Sequence, residues 1–469
     1  MLRPQFLAVA ALLISLCPSS ARADSDNDSI YRELKTFTDV LAIVQRDYVQ
    51  DVPGKKLVEG AIRGMLSNLD PHSGYMDPDF YKDLQVETKG EFGGLGIEIT
   101  VRDGTLIVVS PMEGSPAEAA GVKAGDAIVK INGNFAKEYS LIDAVKLLRG
   151  PKGSEVVLSL ARKGSPDLVN VKVIRDNILL KSVRSRYLKD GFGYVRISQF
   201  AEHTSDDLQA ALASIRKAAG SGGIKGLILD LRNNPGGLLT QAVSVSDLFL
   251  KEGIIVYTDG RVESQKQKFF AHPRGTEPDY PLVVVVNGGS ASASEIVSGA
   301  LRDHGRALIL GTQTFGKGSV QTILPLENGG ALRLTTALYY TKSGRSIQLA
   351  GVTPDVIVDD GVSKEVEMAA AEALGKKLNQ SIRERDYPGA IDPKLGKNQK
   401  GNDDQNTNLS TALDIPKKVD IASIPLDDWM KSDAQLARAF ELLRTFDVFS
   451  TGVFASRAAE NSEAKVSSN

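Results

Sequence analysis

Leu282-Val283-Val284-Val285-Val286 is apolar at every position, and Asn287-Gly288-Gly289-Ser290-Ala291-Ser292-Ala293-Ser294-Glu295-Ile296 follows it without a break. Side chains alternate between the two faces of a strand, so a run like this is covered on both faces, as in a sheet held between other layers. The pattern extends from about 192 to 358. Strands are expected at 194–197, 226–231, 254–257, 282–286 and 308–310, and helices at 206–218, 239–249 and 293–301. Such alternation predicts an α/β layered domain, which holds the largest core of the chain.

The 469 residues exceed one small domain, and the flanks read differently. Residues 29–83 have helical periodicity, broken by Leu69-Asp70-Pro71-His72-Ser73-Gly74-Tyr75-Met76, where Pro and Gly enforce a turn. Between 90 and 175, short β-branched runs at 96–101, 106–109, 127–131 and 156–160 with Gly between them predict a compact strand-rich module. After Asp360 an Ala- and Glu-rich helical stretch precedes 394–410, which is too polar to fold alone and reads as a flexible linker. Residues 432–446 resume as an amphipathic helix with Ser432 and Gln435 as a capping box. Its face of Leu436, Phe440 and Leu443 needs a partner in the chain or in another subunit, and the last dozen residues read as disordered.

A net charge of -2 offers no field to gather a polyanion, which argues against nucleic acid as a partner. Arg3, the apolar run 6–16 and Ala21-Arg22-Ala23 read as a secretory signal, with an uncleaved membrane anchor as the rival. Cys17 is the one cysteine. Cleavage after Ala23 leaves a chain without disulfides, a Cys nucleophile or thiolate metal sites, so any nucleophile is an oxygen.

Two sets of motifs bear chemistry. Glu91-Phe92-Gly93-Gly94-Leu95-Gly96-Ile97 joins glycines to a strand start, where successive N–H groups can converge on one anion such as a peptide's terminal carboxylate. Together with Gly114-Ser115-Pro116-Ala117, Ala120-Gly121-Val122-Lys123-Ala124-Gly125-Asp126-Ala127-Ile128 and Ile131-Asn132-Gly133, it resembles a PDZ domain. That resemblance implies a ligand strand beside residues 95–100, packed against a helix at 141–148, in the permuted, bacterial form of the fold. Arg149 is either a link between tail binding and catalysis or a plain solvated charge.

Ser290-Ala291-Ser292-Ala293-Ser294 resembles the nucleophile turn of the carboxyl-terminal processing peptidases, in which the middle serine attacks. At a helix start, Ser292 lies at the positive dipole end and the Ala293 N–H can face an oxyanion, although Ser292-Ala293-Ser294-Glu295 is equally a capping-box pattern. None of the four histidines sits in a recognised triad motif, and no G-x-S-x-G elbow occurs. Thr314-Phe315-Gly316-Lys317-Gly318-Ser319-Val320-Gln321 matches the family's second signature, which implies Lys317 as general base, positioned by Gln321. A lysine can do this only where desolvation lowers its pKa. The resemblance further implies a second oxyanion donor, Gly236 or Gly237, in Asp230-Leu231-Arg232-Asn233-Asn234-Pro235-Gly236-Gly237. Asp303 matches an acidic position of the family and is equally a helix-end charge.

The resemblance spans about 34–358 and implies a crotonase/ClpP-like layered α/β protease core with an inserted permuted PDZ domain and helical ends. The expected divisions are a signal peptide at 1–23, a helical arm at 24–85, the PDZ domain at 86–176, the protease domain at 177–362 and a helical C-terminal region at 363–469. The implied function is exported, periplasmic cleavage near the C-terminus of unstructured tails, with no cofactor and no metal. Cell-envelope substrates, an adaptor protein and a homo-oligomer are the expected partners. Two rivals stand beside it. Gly311-Thr312-Gln313-Thr314-Phe315-Gly316-Lys317-Gly318 nearly spells a phosphate loop but lacks the final Ser or Thr. The second rival is a PDZ scaffold with an inactive enzyme-like domain, or an acyl-handling enzyme of the same layered fold.

Overall fold

A computed structural model describes residues 23–102, 104–359, 383–393 and 425–448. Residues 1–22 of the expected leader, the helical stretch expected after Asp360, the linker 394–410 and the tail fall outside the described residues. Two compact units divide the chain after Asn68. In the first, the helices Ala23–Asp47 and Gly54–Ser67 are separated by a turn ending at Pro53, whose fixed φ suits the entry to a helix. Ile30, Leu34, Phe37, Val40 and Ile43 stay exposed along the longer helix. No helix among the described residues is long and apolar enough to cross a membrane.

The second unit begins with the turn at Asp70 and the helix Pro78–Lys89, whose first turn is fixed by Asp77 accepting the Phe80 N–H at 2.9 Å. A two-stranded ribbon, Glu91–Gly94 with Asp176–Leu179, opens and closes the strand-rich module. Within it, Ile97–Arg102, Thr105–Pro111, Ala127–Ile131, Glu155–Ala161 and Val169–Ile174 line up antiparallel in that order. Ile97–Arg102 is therefore an edge strand. Val108, Ile128, Val156 and Leu158 form a separate core there with Ala144 and Leu148 of the helix Leu141–Leu148.

The layered domain is built on a six-stranded sheet ordered Val183–Lys189, Phe192–Ile197, Gly226–Asp230, Leu282–Val286, Leu308–Gly311 and Val356–Ile357. All its pairings after the first are parallel. The unbroken apolar runs are explained by cover on both faces. Leu227, Leu229, Val284 and Val286 point into one core with Leu208, Leu212, Ile296 and Val297 of the crossing helices. Ile228, Val283 and Val285 point the other way, onto Trp429, Leu436, Phe440 and Leu443. The C-terminal helices Leu426–Ser432 and Ala434–Val448 are thus the second cover of the sheet, each buried large side chain contributing about 1.5–3 kcal/mol.

Two expectations are corrected. The strand at 254–257 joins a second, antiparallel sheet of five strands with Gly74–Met76, Lys268–Phe270, Ser319–Pro325 and Ala331–Tyr340, so it is not part of the parallel alternation. The last two of these form a hairpin that strand–helix alternation does not announce. The expected capping box at Ser432 is also displaced by one residue. Ser432 Oγ donates to the Trp429 carbonyl, and Asp433 caps the last helix by accepting the Leu436 N–H at 2.9 Å. Gln435 instead donates to the Val358 carbonyl, because its position faces the sheet.

Candidate active site

Three adjacent parallel strands, Gly226–Asp230, Leu282–Val286 and Leu308–Gly311, deliver the segments 231–237, 287–292 and 312–317 to one edge of the sheet. In parallel sheets the crevice beyond the strands' carboxyl ends is where ligands bind. The three segments are stitched together by the serines that flank Ser292. Ser290 Oγ donates to the Leu231 carbonyl at 2.8 Å, and Ser294 Oγ donates to the Asn234 carbonyl at 2.9 Å. The Phe315 N–H donates to the Ser290 carbonyl at 3.1 Å. The outer hydroxyls of the Ser-Ala-Ser-Ala-Ser run are thereby committed to structure.

Ser292 occupies the position just before the helix Ala293–Asp303 with φ 52° and ψ −111°, a conformation that L residues rarely adopt. Gly236 passes directly beside it: a Cβ there would lie 2.8 Å from Ser292 Cβ and 3.1 Å from the Ala293 nitrogen. Only a glycine fits this approach. The Gly236 N–H is taken by Asn234 Oδ1 at 2.9 Å. A Cβ on Gly237 would lie 2.2 Å from the Phe200 carbonyl oxygen.

Glu295 is the centre of the arrangement. Its wholly buried carboxylate accepts the Ser292 and Lys317 N–H groups on Oε2, both at 2.9 Å, so the two amide nitrogens lie within twice that distance of each other. Oε1 accepts the Thr314 hydroxyl at 2.5 Å and the Gly316 N–H at 2.7 Å. Burial pushes the Glu295 carboxyl up to about 7, against these four donors, which favour the anion. From the sequence this glutamate reads as half of a capping box. The bond from the Ser292 amide is that half, and the rest of its role depends on a loop more than twenty residues away.

Lys317 is part-buried. Desolvation, and then the positive charge of Arg333, hold its amine below the ordinary lysine value, while Glu384, Asp70 and Glu295 oppose them. The Gly318 N–H donates to Gln348 Oε1 at 2.9 Å. Gln321 Nε2 donates to Ser319 Oγ at 2.9 Å, within its own strand. Asp303 closes the helix Ala293–Asp303 by accepting the Ser343 N–H at 3.1 Å; burial pushes its carboxyl up, but the Thr341 and Ser343 hydroxyls hold it below its usual value. Each of the four histidines has a partner of its own: His72 has Glu384, His203 has Asp206, His272 has Asp247 and His304 has the Ile254 carbonyl.

In the strand-rich module, Gly93 and Gly94 belong to the ribbon, with Gly93 packed so that a Cβ would lie 2.2 Å from the Gly150 carbonyl oxygen. Leu95 is buried and Gly96 turns the chain with φ 71°, so that Ile97 starts the edge strand. The Leu95 and Gly96 carbonyls accept the Ala117 and Met112 N–H groups. Arg149 pairs with Asp83 at 3.0 Å and lies over the Phe92 ring, 4.9 Å from its centroid.

Comparison with known proteins matches residues 191–358 to peptidase family S41, residues 107–162 to a PDZ domain, and residues 15–80 to the N-terminal domain of the activating protease CtpB. A carboxy-terminal-processing protease of Bartonella bacilliformis is 43% identical over 94% of this chain and 95% of its own. The carboxy-terminal processing protease CtpA of Bacillus subtilis is 34% identical over 86% of this chain and 88% of its own. A solved photosystem II D1 C-terminal processing protease is 33% identical, with a TM-score of 0.41 over 70% of this chain and 93% of that one.

Proposed function

Because this chain belongs to the carboxy-terminal processing proteases of peptidase family S41, we propose that its serine-peptidase chemistry is performed by Ser292 as nucleophile and Lys317 as general base. The observation that supports this pairing most is the shared Glu295 oxygen, which holds the backbone of both residues while the flanking serines are spent on structure. Lys317 Nζ takes the Ser292 proton as Oγ attacks the peptide carbonyl. The oxyanion rests on the Ala293 N–H and on a donor from the 231–237 turn. Gly237 is preferred over Gly236, whose N–H is already spent on Asn234. The proton passes from Lys317 to the leaving amine, and water, deprotonated by the same nitrogen, resolves the acyl-enzyme. Gln321 stiffens the strand that follows Lys317 through Ser319.

The substrate is a protein tail, in keeping with the PDZ domain and the processing family. Its carboxylate sits at Gly93 to Ile97, and its upstream residues add a strand to the open edge of Ile97–Arg102 beside the helix Leu141–Leu148. Two finer features of the fold belong to the same reading. The carboxylate-loop strand comes first in the module and Val169–Ile174 last, which supports a permuted PDZ order, and the double-sheet core with crossing helices supports crotonase/ClpP-like layering. Export to the periplasm rests on the leader pattern alone. Self-association fits the exposed apolar face of Ala23–Asp47, and envelope proteins and an activating adaptor complete the proposal.

The test is cleavage of a disordered protein by the full chain. Ser292→Ala and Lys317→Ala each lower turnover by at least ~1,000-fold with circular dichroism unchanged. Undiminished cleavage by either variant removes that residue from the mechanism.

A further inference from the structure

The Lys317 loop is gripped by a segment that lies outside the matched peptidase region of 191–358. Glu384 begins a single helical turn, Glu384–Asp386, and is wholly buried, at 0% exposure. His72 Nε2 lies 2.8 Å from both of its carboxylate oxygens, and Gln348 Nε2 donates to Oε1 at 3.0 Å. The other end of the Gln348 amide, Oε1, accepts the Gly318 N–H, and the Glu384 N–H donates to the Phe315 carbonyl at 3.2 Å. The backbone is thus held on either side of Lys317, at 315 and at 318. Tyr387 closes the contact, its ring centroid 6.2 Å from that of Phe315 and 6.4 Å from that of His72.

His72 is itself fixed. Its N–H donates to Asp70 Oδ1 at 2.8 Å, and its carbonyl accepts Arg333 Nε at 2.8 Å. Asp70 also takes the Ser73 N–H, the Ser73 hydroxyl and the Thr335 hydroxyl. The turn read from the sequence as a break between helices is therefore a bracket that presents an imidazole to Glu384. A buried carboxylate is costly unless donors converge on it, and here they converge from two distant parts of the chain.

We propose that Glu384 is a positioning residue for the peptidase reaction: seated by His72 and Gln348, it fixes the backbone on both sides of Lys317, so that residues 383–393 complete the active site. This rests on the assignment of Lys317 as general base. The charged groups that act on Lys317 are Arg333, Glu384, Asp70 and Glu295. Glu384 stabilises the ammonium form, so removing its charge eases loss of the Lys317 proton and moves the acid limb of activity to lower pH. Glu295 shares no hydrogen bond with Glu384, its partners being the Ser292, Lys317 and Gly316 N–H groups and the Thr314 hydroxyl, so its contribution to the limb stays in place.

The full chain and its Glu384→Ala and Glu384→Gln variants are assayed on a disordered protein across pH. Glu384→Ala is expected to lower kcat roughly 10- to 100-fold at unchanged KM, as misplacement of a reacting group does. Glu384→Gln, which keeps the shape and an acceptor for Gln348, recovers most of that kcat and shifts the acid limb to lower pH. A contact that merely holds the fold would leave the limb where it is. Wild-type kcat in the alanine variant, or an unmoved limb in the glutamine variant, overturns the proposal, and if the alanine variant fails to fold the glutamine limb decides. Lys317→Ala in parallel separates the two readings: cleavage retained there removes the base itself, whatever Glu384 does.

Discussion

At the scale of single residues, the backbone of Ser292 is strained by the task it is given. A non-glycine residue at φ 52°, ψ −111° carries of order 1–3 kcal/mol of strain, held in place by the surrounding hydrogen bonds. The bonds that hold it are those of Glu295 to the Ser292 amide and of Ser290 and Ser294 to the neighbouring turn. Ser292→Gly is therefore expected to raise stability by about 1 kcal/mol, seen as a higher urea midpoint with unchanged slope, while cleavage is lost. A lower midpoint would show that the conformation costs the native serine nothing. The pair of Glu295 and Lys317 has the same logic in charge. Burial lifts the carboxyl to about 7 and lowers the amine, so each is brought toward the range in which a proton can be exchanged near neutrality.

Among the elements, the last helix does more than cover the sheet. Asp433 accepts Arg232 through both terminal nitrogens, at 2.9 and 2.8 Å, and caps the helix through the Leu436 N–H. Arg232 also binds Asp230. Burial alone would raise that carboxyl, yet Arg232 and Arg196 hold it below the usual range. The start of the 231–237 turn is thereby tied to the C-terminal helix by an ion network that is mostly buried. Asp433→Ala removes one of the two carboxylates on Arg232, which keeps Asp230 and Gln435, and uncaps the helix, and the expected loss is about 2 kcal/mol in denaturant unfolding. Asp433→Asn, which keeps a capping oxygen, should lose less. Equal losses for the two would mean that the cap, the charge and the packing were not separable in this way.

For the whole molecule, the edge strand Ile97–Arg102 and the crevice at Ser292 belong to the same compact unit, 69–469. If the tail carboxylate is held at Gly93 to Ile97, amidating the C-terminus of a disordered substrate removes the anion but not the scissile bond. KM is then expected to rise about tenfold or more with kcat little changed, as when uniform binding is lost. An unaltered KM would mean that the module does not read the terminus. At this scale the structure also joins parts that the chain keeps far apart. His72 meets Glu384, and the turn of Asp70 meets the strand Ala331–Tyr340.

Local periodicity and the glycine-bounded motifs were enough to find the four inner strands of the parallel sheet and the strand-rich module, and to single out the segments of Ser292, Lys317 and 231–237 as candidates, because each is encoded within a short stretch of chain; the outer strands Val183–Lys189 and Val356–Ile357 were not announced. The sheet that Ile254–Gly260 joins, the sheet face that receives Leu436 and Phe440, and the second use of Glu295 were decided only by folding. So was the burial of Glu384. A capping pattern specifies a helix start equally well whether or not its carboxylate also receives a distant loop, and an amphipathic stripe specifies that it will be covered but not by what. Long-range pairing is set by which buried donors and apolar faces remain unsatisfied once the local elements exist, and that is a property of the assembled core.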